Sequence, residues 1–418
     1  MTTSDPSKLF VWIWLADHTE PVVAGVLEPQ GKLLTFNYGK SYLARPDAEP
    51  IFADELPLTP GRQQPQGQML LAGAIRDSAP DSWGRRVILS RLYGSQAASM
   101  DPGAISELTY LRESGSDRIG RLDFQDSPSE YIPRQNDATL DELYNAAQLL
   151  DQNKTLSQGL ADALQNGTAI GGARPKALLT DNEKKYIAKF SASADHHPMV
   201  KYEYLAMRLA KACELNVAPV TITKSLGRDV LLIERFDRTP TTNGWARKGM
   251  VSALTALGLD EMEAPYASYT DFAQWLRAHS DEPKTDLKEL FSRLVFNILC
   301  GNTDDHARNH AAFVGSDGIR LTPAYDICPQ LRVGEESSQG MLIGGTQRLS
   351  QVVHCLEVAA DFLLSTPEAK TIIDQQIATL SEQWQTIAEE AGMNESEMNS
   401  LWRRQLLNPF ALYDYKPT

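Results

Sequence analysis

The sequence is poor in cysteine, and the few it has are not arranged for metal binding or cross-linking. The chain has 418 residues and 4 cysteines, and no two of them form a C-x-x-C pair. Zinc ribbons and disulfide frameworks both depend on such clustered or regularly spaced cysteines. Neither is expected here, and the thiols are typical of buried side chains in a reducing compartment.

Long apolar stretches and basic clusters are also missing. No segment approaches the roughly 20 apolar residues of a membrane-spanning helix, and the apolar run at residues 10–15 is too short for a signal-peptide core. We therefore expect a cytoplasmic location and no membrane partner. The net charge is −14, with a pI near 5.0. A surface that held DNA directly would be basic, so any contact with DNA should be indirect, through a partner.

The composition is that of a folded protein with more than one domain. Hydrophobic residues make up 42% and charged residues 22%, and the length suggests two or three domains. Short β-branched and aromatic runs predict strands in the first half, and 3.6-residue periodicity predicts helices in the second. The predicted strands are residues 10–15, 22–27, 33–38, 177–180, 186–190, 217–222 and 229–233. The predicted helices are residues 200–213, 272–276, 287–299, 352–364 and 372–391.

The most informative segment is a polar loop in the helical half. Asp304 and Asn309 have the D-x-x-x-x-N spacing of a kinase catalytic loop, in which the Asp orients the acceptor hydroxyl and the Asn holds magnesium. Asp326 follows a second short apolar run, and we predict it at the end of a strand as a second metal ligand. Carboxylate and amide oxygens suit Mg²⁺.

The same loop has simpler interpretations. Asp-rich loops are usually turns, and His306 and His310, four apart, are spaced like a helical metal pair. A metal pair would need a third ligand in an H-E-x-x-H-like context, which is missing. We assign His306 to the catalytic site and His310 to the structure.

A glycine-rich loop and a lysine strand precede the catalytic loop in the chain. Lys189 lies in I-A-K-F, similar to the V-A-I-K strand of kinases, whose lysine holds the α/β-phosphates. The anionic partner of Lys189 would be ATP or Glu203. The alternative is that Lys189 faces solvent, as isolated strand lysines often do. An apolar strand then ends in a polar stretch, residues 231–238, where a kinase hinge would meet adenine with backbone groups. Glycines let backbone N–H groups approach phosphates. The candidate phosphate-binding residues are Gly171, Gly172, Ala173, Arg174 and Lys176.

These segments together resemble the signature series of HipA-type toxin kinases. The motifs are G-G-A-R-P-K (171–176), I-A-K-F (187–190), E-R-F-D-R (234–238), N-T-D-D-H-A-R-N (302–309) and L-T-P-A-Y-D-I (321–327), with P-D-S-W-G-R-R (80–86) and D-R-I-G (117–120) near the N-terminus. The resemblance implies an α+β, protein-kinase-like (PI3/4-kinase-like) bilobal fold with a β-rich N-terminal lobe and subdomain and an all-helical C-terminal lobe. We expect an N-terminal subdomain at 1–130, a kinase N-lobe at 131–245 and a C-lobe at 246–418.

The resemblance also implies an activity and partners. It implies an ATP- and Mg²⁺-dependent serine/threonine kinase, the toxin of a type II toxin–antitoxin system. Its substrate would be an aminoacyl-tRNA synthetase, such as the glutamyl or tryptophanyl enzyme, so that growth slows. A small helix-turn-helix antitoxin, similar to HipB, would supply the DNA binding. By motif, Asp304 is the catalytic base, Asn309 and Asp326 are the magnesium ligands, Lys189 holds phosphates, and Glu234 and Phe236 meet adenine.

One position departs from the family pattern. The glycine-rich loop of the family usually carries a serine that the kinase phosphorylates on itself to switch itself off, and Ala169 occupies that position here. Ala169 has no hydroxyl. Either the switch is missing, or Thr168 replaces the serine, or the serine was exchanged in this sequence.

Two other classes of function stay open. A metal-dependent phosphohydrolase or nuclease would use Asp304, Asp305, His306 and Asp326, but it would leave the glycine-rich loop and Lys189 unexplained. An inactive nucleotide-binding pseudokinase, partner of a DNA-binding antitoxin, would not need the intact Asp304 and Asn309.

Overall fold

The chain forms two compact units. The computed structural model describes residues 5–134, 138–181, 183–192, 194–332 and 334–417. The first unit comprises residues 1–194, 223–251 and 313–317, and the second comprises 195–222, 252–312 and 318–418. No helix within these described stretches is both long enough and apolar enough to cross a membrane.

Strands dominate the first part of the chain and helices the last. The strands are β1 (Leu9–Ile13), β2 (Val22–Gln30), β3 (Leu33–Tyr38), β4 (Arg62–Gln63), β5 (Leu122–Gln125), β6 (Lys176–Thr180), β7 (Lys185–Phe190), β8 (Val220–Ser225), β9 (Arg228–Glu234), β10 (Arg238–Thr241), β11 (Gly244–Arg247), β12 (Met250–Ser252), β13 (Ala311–Phe313) and β14 (Arg320–Leu321). The α-helices are α1 (Lys40–Leu43), α2 (Gly73–Arg76), α3 (Ser82–Tyr93), α4 (Glu107–Glu113), α5 (Leu140–Asp151), α6 (Gln158–Gln165), α7 (Met199–Ala212), α8 (Ala253–Ala256), α9 (Tyr269–His279), α10 (Pro283–Cys300), α11 (Val353–Glu357), α12 (Thr366–Glu390) and α13 (Glu395–Leu401). Short 3₁₀ turns cover Gly94–Ser99, Pro102–Ala104, Ala264–Tyr266, Ala307–Asn309, Ala359–Phe362 and Pro409–Leu412.

The N-terminal sheet of the first unit is a meander. Its strand order is β4-β3-β2-β1-β5, and neighbouring strands are antiparallel. The apolar side chains of β1 are buried, Leu9 and Val11 completely, because a β-branched or aromatic strand packs well on a pleated surface. The predicted strands at 10–15, 22–27 and 33–38 are confirmed with small shifts at their ends.

A second sheet of the first unit carries the predicted lysine strand. Its order is β6-β7-β9-β8. Helices α3, α5 and α6 and the buried side of this sheet form one apolar cluster, in which the rings of Tyr144 and Phe190 meet edge to face with centroids 4.9 Å apart. Trp83 of α3 is fully buried in the same cluster. Helix α3, which begins within the 80–86 motif, therefore packs against the sheet that contains the lysine strand.

The second unit is mainly helical. Helix α10 begins with Pro283 in its first turn and ends at Gly301, which has φ +75°; proline at the start and a left-handed glycine at the end are typical helix boundaries. Helix α12 begins with a capping box of Ser365 and Glu368. The helices predicted at 200–213, 272–276, 287–299 and 372–391 are confirmed.

Two expectations about the C-terminal half are wrong. It is not all-helical, because β13 and β14 form a small hairpin in which the Thr322 amide donates to the Ala311 carbonyl at 3.0 Å. The continuous helix expected at 352–364 is interrupted: α11 stops at Glu357, and the following 3₁₀ turn ends at Leu363 with φ +58°. The buried residues of this stretch, Cys355 in α11 and Ala359 and Phe362 in the 3₁₀ turn, belong to two short segments rather than to one helix.

Candidate functional site

The glycine-rich loop, residues 167–176, connects α6 to β6 and is held from two sides. Gly172 has φ +102°, a conformation that only glycine adopts without strain. Its amide donates to Oδ2 of Asp81 at 2.6 Å. On the other side, the Lys176 ammonium donates to the Gly171 carbonyl in a short hydrogen bond. The loop therefore has a defined backbone conformation, with Gly171 exposed.

The start of α3 supports the base of this loop. The Trp83 indole N–H donates to the carbonyl of Lys176 at 3.0 Å. A Cβ on Gly84 would lie 1.9 Å from the carbonyl oxygen of Thr168. The backbones at Gly84 and Thr168 are therefore so close that any side chain at position 84 would collide with the loop. Asp81, Trp83 and Gly84 belong to the P-D-S-W-G motif, whose role in the loop the sequence did not reveal.

Thr168 and Ala169 lie at the buried base of the loop. Both residues have 0% exposure. The Thr168 hydroxyl accepts from the Gly115 amide at 3.0 Å and donates to the Gln165 carbonyl at 2.7 Å. Phosphate on Thr168 would therefore require the base of the loop to open and both hydrogen bonds to break. Whether either position regulates activity remains a prediction.

Lys176 and Lys189 face each other across two neighbouring strands. They are paired residues in the antiparallel register of β6 and β7. Lys176 is buried and Lys189 is half-buried. This register brings two lysines together where the glycine-rich loop enters β6, and positive charge at such a position favours a bound polyanion. Beside them, Ala173 and Arg174 of the loop are exposed. These residues fit a triphosphate.

The predicted hinge residues lie at the end of β9. Glu234 is its last residue, and its carboxylate pairs with Lys184 at 2.7 Å. The Phe236 ring meets the Phe313 ring edge to face, with centroids 5.9 Å apart. Both residues are half-buried and alternate with the buried Arg235. A contact of Glu234 or Phe236 with adenine remains a prediction.

A buried ionic cluster follows the hinge residues, and sequence reasoning missed it. Asp117 accepts from Arg235 Nη1 and Arg238 Nε, each at 3.0 Å, and forms a short bond with Lys185. Asp237 accepts from Arg235 at 2.8 Å and Arg238 at 2.9 Å. These five residues, Asp117, Lys185, Arg235, Asp237 and Arg238, are called the ionic cluster below. It joins the D-R-I-G turn to the hinge segment.

The pKa values of both acids in the ionic cluster are depressed. Burial alone would raise the pKa of Asp237, but the guanidinium groups of Arg235 and Arg238 outweigh it and lower the pKa to about 2. The pKa of Asp117 is likewise held well below its usual value, because the same arginines and Lys185 outweigh its burial. Both acids are therefore ionised at neutral pH.

In the second unit, the catalytic-loop residues follow the left-handed end of α10. Asp304 is exposed, whereas Asn309 is 8% exposed and closes the short 3₁₀ turn Ala307–Asn309. The Asn309 amide nitrogen donates to the Asp304 carbonyl at 3.4 Å. The Asn309 amide oxygen is then the atom suited to hold a cation. The structure brings the two ends of the D-x-x-x-x-N motif together.

The next acid of the loop points the other way. Asp305 is 1% exposed, accepts from the Tyr269 hydroxyl, and lies 2.9 Å from His310 Nε2. It is therefore not available as the second metal carboxylate that a hydrolase would require. His310 has the structural role expected of it. Nδ1 of the half-buried His306 has no hydrogen-bond partner among the described residues, and the role of His306 in catalysis remains a prediction.

Asp326 lies in irregular backbone, two residues after an isolated bridge at Ala324, and not at the end of a strand, so the predicted placement is wrong. Strand β14 ends at Leu321, and Asp326 has φ +58°, a left-handed conformation that Asp tolerates better than most residues. The Tyr325 hydroxyl donates to the Arg308 carbonyl at 2.8 Å. This bond ties the residue before Asp326 to the catalytic loop.

The donor chemistry of this part of the site fits magnesium. Asn309 and Asp326 offer amide and carboxylate oxygens, the ligands that Mg²⁺ prefers alongside water and phosphate. Within the described residues, no group of three or more His, Cys, Asp or Glu side chains is placed to hold a metal by itself. A cation here would rely on Asn309 and on the phosphates for its remaining ligands.

Two family models match the sequence. The HipA-like C-terminal domain matches residues 168–384, and the HipA N-terminal domain matches residues 13–125. The first match begins at the glycine-rich loop and includes the catalytic loop and Asp326. The second includes the D-R-I-G turn and the start of α3.

Individual relatives agree with these matches. The "Putative kinase Y4mE" of Sinorhizobium fredii is 27% identical over 72% of this chain and 70% of its own length. The "Serine/threonine-protein kinase toxin HipA" of Shewanella oneidensis is 29% identical over 38% of this chain and 42% of its own length. A solved complex of Shewanella oneidensis HipA, HipB and operator DNA contains a chain of similar fold, with a TM-score of 0.67 and 16% identity over 97% of this chain and 96% of that chain.

Proposed function

The chain belongs to the HipA family and is a kinase, and from this premise we propose that it transfers the γ-phosphoryl group of ATP to serine or threonine with Mg²⁺. The observation that carries the proposal is the catalytic loop, where Asp304 is exposed and Asn309 is bonded back to it. We propose the bilobal protein-kinase-like (PI3/4-kinase-like) fold for this activity.

The glycine-rich loop, the lysine strand and the end of β9 carry the groups that bind nucleotide. Lys176 and Lys189 hold the α- and β-phosphates, since their opposed positions concentrate two positive charges. The backbone of Gly171 and Gly172, kept in place by Asp81, lies along the phosphates with Arg174 beside them. Glu234 and Phe236 border the adenine. ATP supplies the transferable group, and catalysis in such sites is mostly positioning and charge neutralisation.

The catalytic loop and Asp326 carry the base and the metal ligands. Asp304 orients the acceptor hydroxyl and accepts its proton, a role that requires the exposed position it has. Asn309 and Asp326 hold Mg²⁺ through their oxygens. His306 is half-buried two residues after the base, and we assign its ring a contact with the acceptor or with a phosphate oxygen.

We extend the proposal to the biological setting with the family as its support. The chain acts as the toxin of a toxin–antitoxin system, and a HipB-like helix-turn-helix antitoxin holds it. HipB accompanies HipA and operator DNA in the solved complex of similar fold. With a net charge of −14, this chain would reach DNA only through that partner. The substrate is an aminoacyl-tRNA synthetase in the cytoplasm, and its phosphorylation inhibits growth.

The glycine-rich loop of this protein has no autophosphorylation switch in this proposal. Ala169 lacks a hydroxyl, and the hydroxyl of Thr168 is buried and already forms two hydrogen bonds. After incubation with Mg-ATP, peptide mass spectrometry should therefore find no phosphate on Thr168. Stoichiometric phosphate there would contradict this part of the proposal.

The activity is tested with γ-labelled ATP and Mg²⁺, using a cell lysate as acceptor. Asp304→Gln is the inactive variant, and Asp317→Gln, at an exposed aspartate, is the matched control. A labelled protein of synthetase mass that appears with the wild type and the control but not with Asp304→Gln supports the kinase. Free phosphate without labelled protein would indicate a phosphohydrolase, and ATP binding without either product would indicate a pseudokinase.

A further inference from the structure

The two neighbouring acids of the catalytic loop have opposite environments. Asp304 is exposed, and Asp305 is 1% exposed. Adjacent residues share one peptide unit. Holding the side chain and backbone of Asp305 in place therefore also restricts the backbone at Asp304 and the direction of its side chain. The contacts of Asp305 therefore bear on the orientation of the proposed base.

Both carboxylate oxygens of Asp305 are bonded inside the second unit. Oδ2 accepts a short hydrogen bond from the Tyr269 hydroxyl at the start of α9. Oδ1 lies 2.9 Å from Nε2 of His310, just before β13. A buried carboxylate with both oxygens engaged has little freedom, because leaving either bond would strand a charged oxygen away from water.

The network continues from Tyr269 into helix α10. The Asn297 side-chain nitrogen donates to the Tyr269 hydroxyl oxygen at 3.1 Å, and Asn302 donates to Asn297 Oδ1 at 3.0 Å. Tyr269 and Asn297 are almost completely buried, and so is Asn302. The phenol is thus aimed at Asp305 by a partner on another helix. Burial and the adjacent Asp305 charge raise the pKa of Tyr269 well above its usual value, so the phenol keeps the proton that it donates.

The backbone of Asp305 is also held. The Met341 amide donates to the Asp305 carbonyl at 2.9 Å, and the Tyr269 amide donates to the Leu342 carbonyl at 2.8 Å. A Cβ on Gly340 would lie 2.7 Å from that Asp305 carbonyl oxygen, so glycine allows the close approach. Residue 305 is therefore anchored through its side chain and through its backbone, both to segments that pack around Tyr269.

We infer that Asp305 is a positioning residue, which acts through its bonds to Tyr269 and His310 to hold Asp304 in the orientation required for phosphoryl transfer. This inference rests on the proposed function. A structural role alone would appear as lost stability with normal turnover of the folded fraction. A positioning role lowers turnover in protein that is fully folded and still binds nucleotide, since misplacing a reacting group by about 1 Å costs on the order of 100-fold in rate.

Tyr269→Phe gives the mildest test, because it removes only the hydroxyl that bonds Asp305. Tyr266→Phe is the matched control, since Tyr266 is 71% exposed and lies three residues away. Asp305→Asn is the second variant and keeps the shape of the side chain. For each, kcat for peptide or protein phosphorylation, the calorimetric Kd for Mg-ATP and the thermal unfolding midpoint are measured on the full chain.

The expected result is a fall in kcat of about 10- to 100-fold for Tyr269→Phe and Asp305→Asn, with an unchanged Kd for Mg-ATP and a folded protein at the assay temperature. The combined variant should lose less than the product of the two separate losses, because both changes weaken one bond. Wild-type kcat in both variants, or a fall in kcat matched by the unfolded fraction, would overturn the inference.

Asp304→Gln separates this inference from the proposed function. If Asp304→Gln abolishes transfer while Asp305→Asn and Tyr269→Phe remain fully active, the kinase assignment stands and the positioning role is refuted. If the wild type transfers no phosphate to any acceptor, the proposed function fails and the inference fails with it.

Discussion

Removal of Asp117 should destabilise the first unit severely. Its carboxylate forms ion pairs with Arg235, Arg238 and Lys185, and the side chains of all three cations are largely buried. Asp117→Ala would leave these cations with Asp237 as the remaining acid of the ionic cluster. Breaking a buried ion pair by removing one partner typically costs about 3–5 kcal/mol of unfolding free energy, because a charge stays buried without compensation.

This loss should be visible as a lower melting temperature. Each kcal/mol shifts the midpoint of a unit of this size by about 2–4 °C, so a decrease of roughly 6–20 °C is expected for Asp117→Ala. Circular dichroism or scanning calorimetry measures it, with Asp126→Ala as the control because Asp126 is exposed in the same unit. If Asp117→Ala and Asp126→Ala have the same melting temperature within experimental error, the ionic cluster does not stabilise the fold in the way described.

Three further predictions concern the same unit. The folded pKa of Asp237, about 2, is below its ordinary value, so the stability that this group contributes is complete above about pH 5 and is lost as the pH falls through 2. Asp237→Asn should flatten that part of an acid-unfolding curve followed by circular dichroism. An unaltered curve would argue against the ionised state assigned to Asp237. Gly84→Ala should lower the free energy of unfolding by about 1–3 kcal/mol through overpacking, measured by urea denaturation. Gly159→Ala is the control and should be tolerated, because nothing lies within 4 Å of a Cβ there. Equal urea midpoints for the two variants would contradict the close approach at Gly84. Lys176→Met should weaken Mg-ATP binding by about tenfold or more through loss of a charged contact. Calorimetry measures the affinity, with Lys224→Met as the control because Lys224 is exposed. Equal affinity in the two variants would show that Lys176 does not bind phosphate.

Local patterns in the sequence predicted the parts of the fold that depend on local chemistry. The amphipathic spacing at 200–213 and the strand at 186–190 were confirmed, because propensity and burial act there over a few neighbouring residues. The D-x-x-x-x-N spacing likewise identified a loop whose two ends are joined. Strands β13 and β14, with 3 and 2 residues, are too short for alternation to be recognised, so the C-terminal half was wrongly expected to be all-helical.

Other features depend on contacts between distant positions. Arg235 and Asp117 are 118 positions apart, and Tyr269 and Asp305 are 36 apart; no periodicity of either segment indicates that they meet. Asp326 has a left-handed backbone conformation outside any strand, which no local pattern in the sequence indicates. For the same reason the sequence could not tell that Asp305 faces inward while Asp304 faces outward.

The most direct test of the kinase account compares Asp304→Gln and Asp326→Gln by single-turnover phosphate transfer and by calorimetric Mg-ATP binding. We expect Asp304→Gln to bind Mg-ATP as the wild type does but to transfer no phosphate, because the substitution removes only the base. Asp326→Gln should lose both transfer and affinity for Mg-ATP, because it removes a metal ligand. Equal losses of affinity in the two variants, or normal transfer by Asp304→Gln, would contradict the roles assigned to these residues.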